Sequence, residues 1–281
     1  MSDRNGPNDR EIKTMAMTPL EHFNQGNLTA ALAGLTQEVK RRPTDAAARV
    51  FFAELLCFTG DWERVDRQLE IAADQDPART VAIAQFRQVL RAEMARRQTF
   101  EEGRLPQFLA PPPPHIEKAL RALAALRAGD GPEAVALLAE AEAQRPAVPG
   151  VCDDQTFDDF RDADDLTAGL LEVLTATGHY HWVPLTDIAQ ITFAPPQRPR
   201  DLLWRQARLS VRGGPDGDVF IPALYPTMPP DADDAVRLGH ATAWSDSPDA
   251  PVRGIGQRLF LAGDRDVAIT AIGTLRFPGG Q

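Results

Sequence analysis

Two cysteines, Cys57 and Cys152, are all that the 281-residue chain carries. That excludes a disulfide framework and points to a reducing compartment. Cys57, among Leu55, Leu56 and Phe58, reads as a small core residue. No apolar run approaches the roughly 20 residues that span a bilayer. Residues 2–10 are polar and lack the apolar core of a signal peptide. A cytoplasmic protein is expected, with residues 1–13 a disordered N-terminus. Walker loop, nucleophile elbow and dinucleotide fingerprint are missing, which removes the chemistry those loops carry. Positive charge is also short. The net charge is −10, with 19 Lys/Arg against 21 Asp/Glu in residues 1–149 and 11 against 19 in 150–281. So acidic a second half suits neither nucleic-acid phosphates nor anionic lipid, and favours protein partners with basic patches.

The first half carries a repeat. Gly26-Asn27 recurs as Gly60-Asp61, 34 residues on, and Pro43 and Pro77 keep the same spacing. A third copy runs from Gly129-Asp130 to Pro146, and in each copy the proline follows the glycine by 17 residues. A 34-residue helix–turn–helix period is the tetratricopeptide signature. The glycine ends one helix, the next residue N-caps its partner, and the proline closes it. Ala31, Val65 and Ala134 recur at matched places in the second helices. So do Leu35, Leu69 and Leu138, where packed helix pairs approach closely. Thr18-Pro19-Leu20-Glu21 reads as a helix start. One long helix is expected from Ala78 to about Arg97, broken at Gly103. The prolines at 111–114 then form a stiff connector before a helix at Ile116.

Ala147-Val148-Pro149-Gly150 marks a boundary. The predicted organisation is a tetratricopeptide-like helical domain over 14–148 and an α+β domain over 150–281. Leu166–Leu174 reads as a helix. Beyond it the pattern alternates as strands do: Ala207, Leu209 and Val211 against Arg208, Ser210 and Arg212. A turn at Gly213–Gly217 leads to a partner strand over Val219–Leu224. A second hairpin joins Gln257–Leu261 to Val267–Ile272. An antiparallel sheet covered by helices follows.

Three features invite chemistry. Seven aspartates fall between Asp153 and Asp165. Such a cluster suits Mg²⁺ or Ca²⁺, but no EF-hand spacing is present, and a solvated face paired to arginines is the favoured reading. His179 and His181 point the same way on a strand and offer zinc two ligands, with no third in sight, so exposed strand histidines are expected. Gly254 and Gly256 precede a strand rather than a helix, the wrong order for a phosphate cradle, and read as a turn or bulge. Aromatic and arginine residues dominate protein interfaces. On that ground Trp182, Arg200, Arg205, Arg208, Tyr225, Arg237, Trp244 and Arg258 are the candidate partner-binding residues. The competing structural role puts Trp204 in the core against the sheet and leaves Trp244 partly exposed.

Between Phe160 and Phe277 several unusual words stand in a fixed order: Arg161-Asp162-Ala163-Asp164-Asp165, Tyr180-His181-Trp182-Val183-Pro184-Leu185, Arg200-Asp201-Leu202-Leu203-Trp204-Arg205. They continue as Phe220-Ile221-Pro222-Ala223-Leu224-Tyr225-Pro226, Arg237-Leu238-Gly239 and Arg253-Gly254-Ile255-Gly256-Gln257-Arg258. The ordered set resembles the ImpE/SciE (TagJ) family, accessory components of bacterial type VI secretion systems. His240 and Ala243 depart from the family pattern, where a basic and a polar residue are expected. The residues alone lead to a non-catalytic scaffold without cofactor or metal, and the resemblance sharpens that expectation to an accessory adaptor. The resemblance implies binding to the N-terminal helix of the small contractile-sheath subunit, with an influence on sheath assembly or on disassembly by the system's AAA+ ATPase. The alternatives are a metal-dependent hydrolase built on Asp153–Asp165 and a chaperone or adaptor for secreted effectors.

Overall fold

Glycines in the left-handed region shape the helical half of this computed structural model, which describes residues 17–278. The expected disordered segment lies outside the described residues. Gly26, Gly60 and Gly129 take φ of +77°, +72° and +79°, a region that penalises any side chain. Each lets the chain turn sharply between two helices. Asn27, Asp61 and Asp130 then cap the second helix by accepting from the backbone N–H three residues on.

The helices are α1 (Pro19–Asn24), α2 (Leu28–Arg41), α3 (Ala46–Cys57), α4 (Trp62–Gln75), α5 (Thr80–Glu101), α6 (Pro114–Arg127) and α7 (Gly131–Gln144). Thr18 and Glu21 form a reciprocal capping box that starts α1. Leu35, Leu69 and Leu138 are buried, and so are Ala31, Val65 and Ala134. α5 spans 22 residues and lies across the sheet instead of pairing with a second repeat helix.

The strands are β1 (Gly150–Cys152), β2 (Gln155–Phe157), β3 (Phe160–Asp162), β4 (Leu170–Thr175), β5 (Tyr180–Pro184), β6 (Ile188–Phe193), β7 (Trp204–Val211) and β8 (Asp216–Pro222). A short α8 (Asp234–Arg237) follows, then β9 (Thr242–Trp244), β10 (Gly254–Gly256), β11 (Leu259–Ala262), β12 (Arg265–Ala268) and β13 (Thr274–Arg276). Eight strands form one antiparallel sheet in the order β2-β1-β13-β6-β7-β8-β4-β5. β12-β11-β3 and β10-β9 form two smaller sheets. The fold is thus α+β, helices first and an antiparallel sheet after.

Two sequence expectations need correction here. Leu166–Leu174 is not a helix: a single 3-10 turn covers Asp165–Thr167, and Leu170–Thr175 is strand β4. β4 lies between β8 and β5 and is buried on both faces, so it lacks the alternation of a half-exposed strand. Gly254–Gly256, expected as a turn or bulge, pairs with Thr242–Trp244 as β10.

The free edge of the large sheet at β5 is closed from outside. Gln107 donates to the Tyr180 carbonyl at 3.0 Å and accepts from the Trp182 N–H at 3.0 Å. The connector between α5 and α6 therefore blunts an edge that would otherwise recruit another chain.

Candidate functional site

α5 brings Glu93 and Arg96 to the helix-facing side of the sheet, and the strands answer with charges of their own. Arg96 donates through Nε and Nη2 to the two carboxylate oxygens of Glu172 on β4, at 2.8 and 3.0 Å. Its Nη1 reaches Glu93 at 3.1 Å and its Nη2 also reaches the Leu224 carbonyl. Arg258 bridges Glu172 to Asp162, donating to Asp162 Oδ2 at 2.6 Å. Asp162 also accepts from Tyr225 Oη at 2.8 Å and Thr167 Oγ1 at 3.0 Å. Asp164 accepts from Arg253 Nε and the Gly254 N–H, each at 2.9 Å. Trp204 donates its indole N–H to Glu93 at 2.9 Å.

Burial opposes the charge on Glu172, but Arg96 and Arg258 outweigh it and hold its carboxyl down at about 2. Burial, with Asp164 alongside, pushes the Asp162 carboxyl up to about 6 against the pull of Arg258. Such a buried network is costly to leave half-made, so it selects one arrangement of helices on sheet.

Five of the signature words converge here, and the candidate residues are placed as follows. Trp182 and Arg258 are 0% exposed. Tyr225 and Arg205 are buried as well, Arg205 donating to the carbonyls of Ile269, Ile272 and Ala194. Trp182 and Arg258 are interior, whereas Tyr225 and Arg205 also line the clefts described below. Arg237 is half-buried and donates to the carbonyls of Pro229, Pro230 and Ala232. Arg208 is exposed and pairs with Asp216. Trp244 is 38% exposed, its ring 5.9 Å from Tyr225. His240 and Ala243 are also exposed, with His240 against the turn at Gly26.

Trp204, 3% exposed, is buried as expected but against a different surface. Its ring lies 6.2 Å from Phe86 and 6.3 Å from Trp62, so it packs on the helices. Arg200 and Asp201 do not pair with each other: Asp201 accepts from the backbone N–H groups of Gln197 and Arg198.

The aspartate cluster is not one solvated face. Asp162 and Asp164 are fully buried. Asp159 pairs with Arg145 at 2.6 Å, Asp165 with Arg161 at 3.2 Å, and Asp153 accepts from the Thr274 N–H at 2.7 Å. The seven residues run through two strands and their turns, which scatters them. Among the described residues no three His, Cys, Asp or Glu side chains converge to hold an ion. His179 and His181 have ring centroids 6.3 Å apart, and Gln107 hydrogen-bonds His179 Nδ1. No described helix is long and apolar enough to cross a membrane.

Glu93, Arg96 and Glu172 escaped sequence reasoning. The first two look like ordinary charges on a helix. Glu172 alone left a signal, as one charge inside Leu170-Leu171-Glu172-Val173-Leu174.

Two clefts open at the seam between helices and sheet, with Trp204 as their common wall. One, of about 620 Å³, is lined by Trp62, Arg97, Phe100, Met228 and Arg237. The other, of about 380 Å³, lies between α5 and the 194–201 loop and carries Arg198, Arg200 and Arg205. It continues into a groove of about 260 Å³ between α3 and α5.

The sequence model of the ImpE protein family matches residues 154–276. The type VI secretion system accessory component TagJ of Pseudomonas aeruginosa is 33% identical over 94% of this chain and 91% of its own length. A crystal structure of protein VPA1032 from Vibrio parahaemolyticus superposes with a TM-score of 0.86 at 25% identity, over 93% of this chain and 98% of that one. The chain belongs to the ImpE family, the family of the accessory component TagJ.

Proposed function

We propose that this protein is a non-catalytic cytoplasmic accessory component of a type VI secretion system. It acts as an adaptor that binds the N-terminal helix of the small contractile-sheath subunit. Through that contact it modulates sheath assembly, or disassembly by the system's AAA+ ATPase, which it meets only indirectly. The observation that carries the reading is the similarity to TagJ over 94% of this chain. The physical setting agrees with it. The conspicuous charged residues are consumed by one another in the buried network, while the seam between helices and sheet stays open. A helix laid into a groove between packed elements is a common recognition mode. Arg208 and Trp244 are the exposed members of the candidate set, and the half-buried Arg237 lines the larger cleft.

Calorimetry with a peptide spanning the N-terminal helix of the cognate small sheath subunit tests this. Binding is expected at about micromolar affinity, with a protein concentration of about 100 µM ample to detect it. Absence of heat, and of any complex with the full-length subunit, sinks the reading.

A further inference from the structure

A strand edge can recruit another chain, and this fold treats its edges unequally. At β5 the connector residue Gln107 takes up the Tyr180 carbonyl and the Trp182 N–H, and Pro184 has no N–H to donate. β12 carries the charged Arg265 and Asp266. β9 has neither protection. Among the described residues it pairs only with β10, through Thr242↔Gly256, Ala243↔Ile255 and Trp244↔Gly254. Ser245 donates to the Arg253 carbonyl at 2.8 Å, and Gln257 donates to the Ala241 carbonyl at 3.0 Å. The backbone groups of residues 241, 243 and 245 therefore address β10. Strand alternation then turns the N–H and C=O groups of Thr242 and Trp244 to the outer edge. Ala243 and Trp244 are exposed there, the tryptophan ring leaning on Tyr225 at 5.9 Å.

The surroundings of β9 decide what the added chain carries. Residues 231–249 hold five aspartates against one arginine and one histidine. The arginine, Arg237, is taken up by the carbonyls of Pro229, Pro230 and Ala232. Asp233 caps α8 and Asp234 accepts from the Thr29 N–H at the start of α2. Asp231, Asp246 and Asp249 are exposed, and among the described residues none of them joins an ion pair. Asp246 lies two residues beyond Trp244, so a carboxylate and an aromatic face follow one another along the same edge. A cation is attracted to both. A helix has already used its backbone N–H and C=O groups internally and cannot pair with a strand edge, whereas an extended segment can. We propose that β9 is a strand-addition site for an extended basic segment of a partner protein. The backbone of that segment pairs with Thr242 and Trp244, and its Lys or Arg side chains lie over Trp244 and beside Asp246. This contact is separate from the binding of a sheath-subunit helix and does not depend on it.

The test uses the full chain, labelled for NMR, and a synthetic peptide of about eight residues alternating lysine with threonine, long enough to cover the strand. Binding is expected to slow amide hydrogen exchange at Thr242 and Trp244 about tenfold or more, and to weaken as salt is added. N-methylation of the peptide at alternate residues separates strand addition from charge attraction. In one register it should abolish binding, and in the other it should leave it, because only one edge of the peptide faces β9. Trp244→Ala and Asp246→Lys are each expected to weaken binding about tenfold. Asp264→Lys, the same charge change on the exposed β11–β12 turn, should leave it within about twofold. Absent binding, binding that ignores both methylation registers, or unchanged exchange at Thr242 and Trp244 overturns the assignment. Equal binding of the same peptide with glutamate for lysine overturns the basic class of partner. Protection that grows with protein concentration in the absence of peptide makes a second copy of this chain the occupant, and overturns it as well. Calorimetry with the sheath-subunit helix on the same sample keeps these outcomes apart from the fate of the adaptor reading.

Discussion

At the scale of single residues, the two tryptophans that frame the seam do different work. Trp204 fills space between Trp62 and Phe86 and donates to Glu93, so its removal opens a cavity and strips a buried carboxylate of a donor. Trp204→Ala is expected to destabilise the protein by about 3–5 kcal/mol. Trp244 rests on Tyr225 with one side to solvent, and its alanine variant should cost less than about 1 kcal/mol, in the range of surface changes. Urea denaturation of both variants measures the difference, and equal losses would show that the loop bearing Trp244 is part of the core. Glu54 supplies a pH dependence. Its carboxyl moves from 4.5 to about 7, chiefly through burial. Between those values the unfolded chain has released this proton while the folded chain holds it. Stability therefore falls as pH rises across the window, by about 1.4 kcal/mol per pH unit at most. Glu54→Gln should remove that slope. Melting curves of the two proteins are expected to diverge from pH 5 to pH 7 with the variant higher, and parallel curves contradict the assignment.

At the scale of elements, legibility followed from how local the signals are. A turn that needs positive φ takes glycine whatever surrounds it, and a helix start takes Asn or Asp wherever it lies. The repeat Gly26-Asn27, Gly60-Asp61, Gly129-Asp130 was therefore readable, and all three caps are present. Both hairpins were readable from alternation and turn residues. β4 was not. Alternation records a difference between two faces of a strand, and a strand buried on both has none to record. The aspartate segment failed for a related reason. Its carboxylates serve partners as distant in sequence as Arg253 and Arg258, which nothing between residues 153 and 165 reveals.

At the scale of the whole molecule, helices and sheet share one interior. Phe86, Leu90 and Ala95 of α5 join Leu170, Leu174, Trp182 and Trp204 of the sheet in a continuous apolar cluster. The Arg96–Glu172–Arg258–Asp162 chain of charges passes through the same seam. Neither half can leave without exposing both, so thermal unfolding is expected as one cooperative transition with matching calorimetric and van't Hoff enthalpies. Two resolved transitions would mean that the seam couples the halves only weakly. The sequence by itself determined the helical repeat, its caps, the antiparallel hairpins and the family, because each depends on neighbours in the chain or on an ordered set of words. Only the tertiary structure decided what those words are for. Their arginines, aspartates and aromatics are distant in sequence and meet at the seam, where exclusion of water makes each charge depend on its partner. Trp182, Arg205, Tyr225 and Arg258, four of the eight expected interface residues, are thereby buried.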